Sequence, residues 1–110
     1  SLSARGTAPF VPGMTITDEP GIYEEGKLGI RIENELLCVP VCETEYGKFY
    51  GFEPFTYCPI DTRPLVLSLM EEEELRWLND YHAMVRAELE AFLTPEENAW
   101  LAEACAPVKK

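Results

Sequence analysis

The apolar residues of this 110-residue chain change period part-way along, and that change limits the fold to strands first and helices after. From Glu71 onward, Leu75, Leu78, Tyr81, His82, Val85, Leu89 and Phe92 recur at three- and four-residue steps, which is one face of an amphipathic helix. Thr94-Pro95-Glu96-Glu97 signals the start of a second helix. The threonine hydroxyl can accept from the Glu97 amide, the Glu97 carboxylate can answer it, and Pro95 suits the first helical position. This helix carries Trp100, Leu101 and Ala104 and ends near Pro107.

The first half reads differently. Residues 1–13 hold Gly6, Pro9, Pro12 and Gly13 with little periodicity, so they form a loop or irregular lead-in. Met14 to Glu19 alternates as a strand does, and Pro20-Gly21 interrupts it. Leu28 to Val41 reads as one long or bent strand, Glu43 to Lys48 as a turn, and Phe49 to Tyr57 as a third strand. Pro54 argues that this third strand lies at an edge or carries a bulge. The fold class is therefore α+β, a small, mainly antiparallel sheet followed by two helices.

Composition narrows the function. With 46% apolar residues the chain can bury a core as one domain. Twenty acidic against nine basic residues give a formal charge of −11, which excludes nucleic acid as a partner, because phosphate binding relies on clustered Lys and Arg. Cys38, Cys42, Cys58 and Cys105 form no CxxC pair, and the only histidine, His82, is distant from them in sequence. A structural zinc site is not indicated, and free thiols in a reducing compartment are expected. No apolar run approaches the roughly 18–20 residues of a membrane span, and no signal segment opens the chain. The expectation is a cytoplasmic protein without membrane contact. His82, alone on an apolar helix face, reads as a packed structural residue with one ring nitrogen hydrogen-bonded.

The chemistry concentrates in Asp18-Glu19-Pro20-Gly21-Ile22-Tyr23 and Gly29-Ile30-Arg31-Ile32-Glu33-Asn34. Gly26 lies midway between Glu19 and Glu33. A short turn around Glu25-Gly26-Lys27 would make the two glutamates cross-strand partners, with Cβ atoms about 4.5–5.5 Å apart. Like charges so placed repel, whereas a divalent cation between them converts repulsion into coordination. Arg31 shares the face of Glu33 and can hold that carboxylate in position while offsetting its charge. Ile30 and Ile32 point the other way, into the core. On strand geometry alone an exposed surface pair is the ordinary reading, with a metal site or a proton-sharing dyad as alternatives. A one-residue slip of register would separate the pair.

The run PGMTITDEPGIYEEGKLGIRIENELL, from Pro12 to Leu37, resembles the C-terminal metal-binding segment of the Xaa-Pro aminopeptidases. These are members of the creatinase and methionine-aminopeptidase group with the pita-bread fold. Pro59-Ile60-Asp61, Trp77-Leu78-Asn79 and Tyr81-His82 resemble the tail of the cytosolic, three-domain aminopeptidase P type. The resemblance implies that residues 1–62 are the last strands of a pita-bread catalytic domain and residues 63–110 a helical extension. It implies two divalent ions, typically manganese, held by two aspartates, a histidine and two glutamates, which activate a water for attack on the peptide carbonyl. Glu19 then ligates one ion and helps carry a proton to the leaving amine, Glu33 bridges both ions, and Arg31 supports Glu33. Both aspartates and the histidine ligand would lie upstream, and His82, in the helical tail, cannot replace them. Two ligands do not hold a metal pair.

The implied function is that of a C-terminal fragment of an aminopeptidase hydrolysing the bond between an N-terminal residue and a following proline, inactive by itself. An Xaa-Pro dipeptidase, a creatinase-like amidinohydrolase, a non-catalytic pita-bread domain used for protein binding and a self-standing acidic interaction domain are the other readings. An unpaired sheet edge would favour a homodimer. Met70 stands where the family tends to have a capping threonine, so the long helix is expected to start from Ser68 or to be poorly capped.

Overall fold

Gly26 and Gly47 mark the two tight reversals of the first half, both with positive φ (+71° and +125°). Around them the computed structural model, which describes residues 5–110, places five strands. These are β1 (Thr15–Asp18), β2 (Gly21–Glu24), β3 (Leu28–Arg31), β4 (Asn34–Thr44) and β5 (Gly47–Pro54). All pair antiparallel, in a three-stranded order β1-β4-β5 and a separate two-stranded β2-β3. Lys27 N–H donates to the Glu24 carbonyl at 3.0 Å, closing a four-residue turn with Gly26 in its third position. A positive φ there suits glycine best.

The expected single strand from Leu28 to Val41 is two strands, parted at Ile32-Glu33. The cause lies on the opposite strand. Pro20 has no N–H to offer, so the ladder lapses between Asp18 and Gly21, where the Ile32 N–H donates to the Pro20 carbonyl at 3.3 Å. The third strand does take an edge position: β5 pairs with β4 alone, and Pro54 ends it. The register shift falls on β4 instead, between Pro40 and Cys42. There Pro40 breaks the ladder and Val41 turns outward.

The chain divides at Thr56 into two compact units. In the first, Ile16 and Cys38 are the buried apolar residues, while Ile22, Leu28, Phe49, Tyr50 and Phe52 are well exposed. Ile30 and Ile32, expected in the core, are 52% and 44% exposed. The alternation that aims them away from Arg31 and Glu33 is correct, but among the described residues no layer covers that face of the hairpin.

The second unit has a defined core. Helix α1 (Glu72–Leu89) buries Leu75, Leu78, Tyr81, His82 and Val85, and helix α2 (Pro95–Ala104) buries Leu101. Tyr81, Val85, Leu101 and Cys105 form one cluster, with Ile60, Met84, Leu89 and Leu93 packed around it. The start of α1 corrects the expectation drawn from Met70. A single 3₁₀ turn occupies Leu67–Leu69, Glu71 is the cap, and its N–H donates to the Glu74 carboxylate at 2.9 Å. Phe92 is also corrected: α1 stops at Leu89, a 3₁₀ turn from Glu90 to Phe92 changes the rotation per residue, and Phe92 emerges 84% exposed. Asn98 Nδ2 then caps this turn, donating to the Glu90 and Leu93 carbonyls at 2.9 and 3.2 Å.

The start of α2 is as the sequence indicates. Glu97 N–H donates to Thr94 Oγ1 at 3.2 Å, Thr94 N–H donates to Glu97 Oε2 at 2.8 Å, and Pro95 opens the helix. Replacing Thr94 with alanine leaves the Glu97 amide unsatisfied. It is expected to lower the stability of the helical unit by about 1 kcal/mol, read as a lower urea midpoint of the helical circular-dichroism signal with an unchanged slope.

The Trp77-Leu78-Asn79 and Tyr81-His82 residues act as a clamp. Asn79 Nδ2 donates to the Val108 carbonyl (2.9 Å) and its Oδ1 accepts from Val108 N–H (2.8 Å), so one side chain pairs with the C-terminal tail as a strand would. Tyr81 Oη donates to the Cys58 carbonyl at 2.9 Å, and His82 Nε2 accepts from Ile60 N–H at 3.0 Å. Trp77 stacks on the Tyr81 ring at a centroid distance of 5.6 Å. These residues fasten the flanking segments to α1.

Candidate metal centre

The hairpin that carries the two glutamates keeps one register from end to end. Thr15 to Asp18 pair with Leu37 to Asn34, and Gly21 to Glu24 pair with Arg31 to Leu28. The two ladders are in phase, so Glu19 faces Glu33 across the gap that Pro20 opens. The slip that would have separated them does not occur. The turn at Gly26 and the pairing of β1 with β4 fix the register from both ends.

The two carboxyl groups are close enough to share a hydrogen bond. That bond is the main reason Glu33 titrates above its ordinary value, followed by partial desolvation and repulsion from Glu19; Glu35 adds to the repulsion. Arg31 works in the opposite direction, with its Nε 3.8 Å from Glu33 Oε2. Both side chains of this ion pair are about half exposed, so it orients more than it stabilises. Sequence reasoning did not single out Glu35. The available signal was the two-residue period, which returns Glu35 to the strand face of Glu33.

Tyr23 braces the same hairpin. Its ring lies over Gly21 and Gly29, where a Cβ on Gly21 would sit 2.5 Å from Tyr23 Oη and 2.9 Å from the Ile30 carbonyl. The glycine of the Glu-Pro-Gly run is thus needed for close approach, while Pro20 supplies the break in the ladder.

What the arrangement can do follows from its donors. Two apposed carboxylates with one neighbouring guanidinium suit a hard divalent cation, which would relieve the repulsion between them. The pair is not a complete site. Among the described residues no group of three or more His, Cys, Asp or Glu side chains could hold a metal ion. His82 lies in the helical unit with Nε2 engaged by Ile60, in keeping with a structural role. The four cysteines are free thiols, Cys38 and Cys105 buried and Cys42 and Cys58 exposed.

Comparison with known proteins gives this geometry a family. Residues 48–108 match the model of the C-terminal region of peptidase M24, and residues 1–40 match that of metallopeptidase family M24. The chain belongs to metallopeptidase family M24. Among the M24 relatives, the probable Xaa-Pro aminopeptidase P of Neosartorya fischeri is 42% identical over 107 residues, covering 93% of this chain and 16% of its own length. Aminopeptidase P1 of Arabidopsis thaliana is 40% identical over 110 residues, covering 96% and 17%. The crystal structure of the X-prolyl aminopeptidase from Caenorhabditis elegans, described as a cytosolic enzyme with a di-nuclear active site, matches with a TM-score of 0.82 and 37% identity. It covers 97% of this chain and 18% of that enzyme. The chain therefore spans less than a fifth of the length of these relatives, and it corresponds to their C-terminal part. Its α+β fold is that of the C-terminal part of a creatinase-like domain. Among the described residues no helix is long and apolar enough to cross a membrane.

Proposed function

We propose that this chain is the C-terminal segment of a dinuclear metal-dependent aminopeptidase that cleaves the bond between an N-terminal residue and a following proline. The observation that carries the reading is the apposition of the Glu19 and Glu33 carboxyls on an in-register hairpin, in a chain of the M24 family. Glu19 is the ligand of one ion and Glu33 the ligand shared by both, with manganese as the metal that such hard oxygen donors suit. When bound, the ions would lower the pKa of a water and polarise the scissile carbonyl. Glu19 would hand a proton to the nitrogen of the leaving amine. Arg31 would keep the Glu33 carboxylate aimed and partly neutralised.

On this reading residues 1–62 complete the catalytic domain and residues 63–110 form a helical extension. The remaining ligands come from residues outside this chain. The longer enzyme is a cytoplasmic homodimer acting on peptides with proline in the second position.

Two ligands are too few to fix a metal pair, so the 110-residue chain is expected to be inactive with added Mn²⁺. An Xaa-Pro peptide is incubated with it, and release of the N-terminal residue is measured. Turnover by the chain alone overturns the incomplete-site reading. The full-length enzyme is then analysed for metal. Two divalent ions per active site support the proposal, and none would favour a non-catalytic, protein-binding domain of the same fold. Activity on Xaa-Pro dipeptides alone would favour a dipeptidase.

A further inference from the structure

His82 is the one histidine of the chain, and no part of its side chain reaches solvent. Its Nε2 accepts a hydrogen bond from the Ile60 amide at 3.0 Å. An imidazole nitrogen accepts only when it carries no proton, so the ring is neutral and its proton sits on Nδ1. Among the described residues that Nδ1 has no hydrogen-bond partner. The Ile60 bond and the Tyr81 Oη bond to the Cys58 carbonyl both tie α1 to the segment that enters the helical unit. Ile60 itself packs against the core cluster.

We propose that the His82–Ile60 contact is a proton-operated latch, which holds residues 57–63 against α1 at neutral pH and releases them in mild acid. Protonation at Nε2 removes the acceptor and sets two N–H donors against each other. It also places a charge where no water reaches it. The titratable or charged groups nearest in sequence on the elements around the ring are Tyr57, Cys58, Asp61 and Arg63 on the leading segment, Asp80, Tyr81, Arg86 and Glu88 on α1, Glu103 on α2 and Cys105 just beyond it, and none of them contributes to the shift of His82. Asp61 and Arg63 are committed to each other by a two-point ion pair, closest at 2.6 Å, which holds Asp61 down to about 2. None of these groups supplies a negative charge to His82. Burial alone lowers its pKa from the ordinary 6.5.

The sign follows. Between pH 6.5 and the lowered folded value, the unfolded chain binds a proton that the folded chain refuses. Stability is full above pH 6.5 and falls as pH drops through that window.

A single histidine makes the test direct. In the ¹⁵N-labelled 110-residue chain, the imidazole nitrogens should report the Nδ1–H tautomer at pH 7.5 and a titration below 6.5. Over the same interval, Ile60 amide protection should fall at least tenfold beyond the intrinsic change in exchange rate. In His82→Gln, an amide oxygen can accept from Ile60 without titrating, and the acid-induced loss of protection should disappear. An ordinary titration near 6.5, the Nε2–H tautomer, or Ile60 protection that does not follow the His82 titration overturns the latch. Should His82→Gln fail to fold, these wild-type readings decide the matter alone.

Discussion

Replacing Glu33 with alanine in the full-length enzyme is expected to strip the metal pair and reduce kcat/KM by well over a hundredfold. Loss of a residue that merely supports a metal ligand costs about 10–100-fold in affinity or activity, and Glu33 is proposed to be a ligand of both ions. The geometry makes the prediction specific. Glu33 stands at the ladder break opposite Glu19, shares a hydrogen bond with it and has Arg31 3.8 Å away. Removing Glu33 leaves Glu19 without its partner and Arg31 without its acceptor. Arg31→Ala should fall within the smaller range, because the ion pair is half exposed and only orients the carboxylate. Metal content by mass spectrometry and kcat/KM on an Xaa-Pro peptide are measured together. An alanine variant that keeps two ions and near-normal turnover would remove Glu33 from the metal centre. Loss of turnover with both ions retained would instead assign it a role in proton transfer or substrate binding.

The pairing of Glu19 with Glu33 was legible because three local signals agree. Gly26 is equidistant from both, period-two alternation surrounds each, and Pro20 marks a ladder break. Each has a counterpart in the structure: a positive-φ turn, two ladders in one register, and strands that stop on either side of the glutamates. What was not legible depends on partners distant in sequence. Ile30 and Ile32 alternate as core residues do, yet whether anything covers them is decided outside the hairpin. Phe92 continues the helical spacing on paper, and only the 3₁₀ turn after Leu89 swings it out. Sequence spacing could place His82 on an apolar face, but its acceptor bond to Ile60 spans 22 residues and needed coordinates. The α1 cap was missed because glutamate is a less usual cap than the serine or threonine sought there.

Leu101→Ala is expected to be the most damaging single truncation in the helical unit, at about 2–5 kcal/mol. Leu101 is 1% exposed, and it is the contribution of α2 to the cluster with Tyr81, Val85 and Cys105. Removing its isobutyl group deletes the apolar contact that α2 makes with Tyr81 and Val85 and leaves a void in the cluster. A unit of about fifty residues has only roughly 3–8 kcal/mol to lose, at about 0.05–0.15 kcal/mol per residue. The variant should therefore be partly unfolded at 37 °C, with loss of helical ellipticity and a sharply lower melting temperature. Its neighbour supplies the control. Trp100 is larger but 63% exposed, and Trp100→Ala should shift stability far less than Leu101→Ala. If the two substitutions cost the same, or if Leu101→Ala melts like the wild type, the core cluster does not hold α2 in place. The polar ties at Asn79, Tyr81 and His82 would then carry the helical unit.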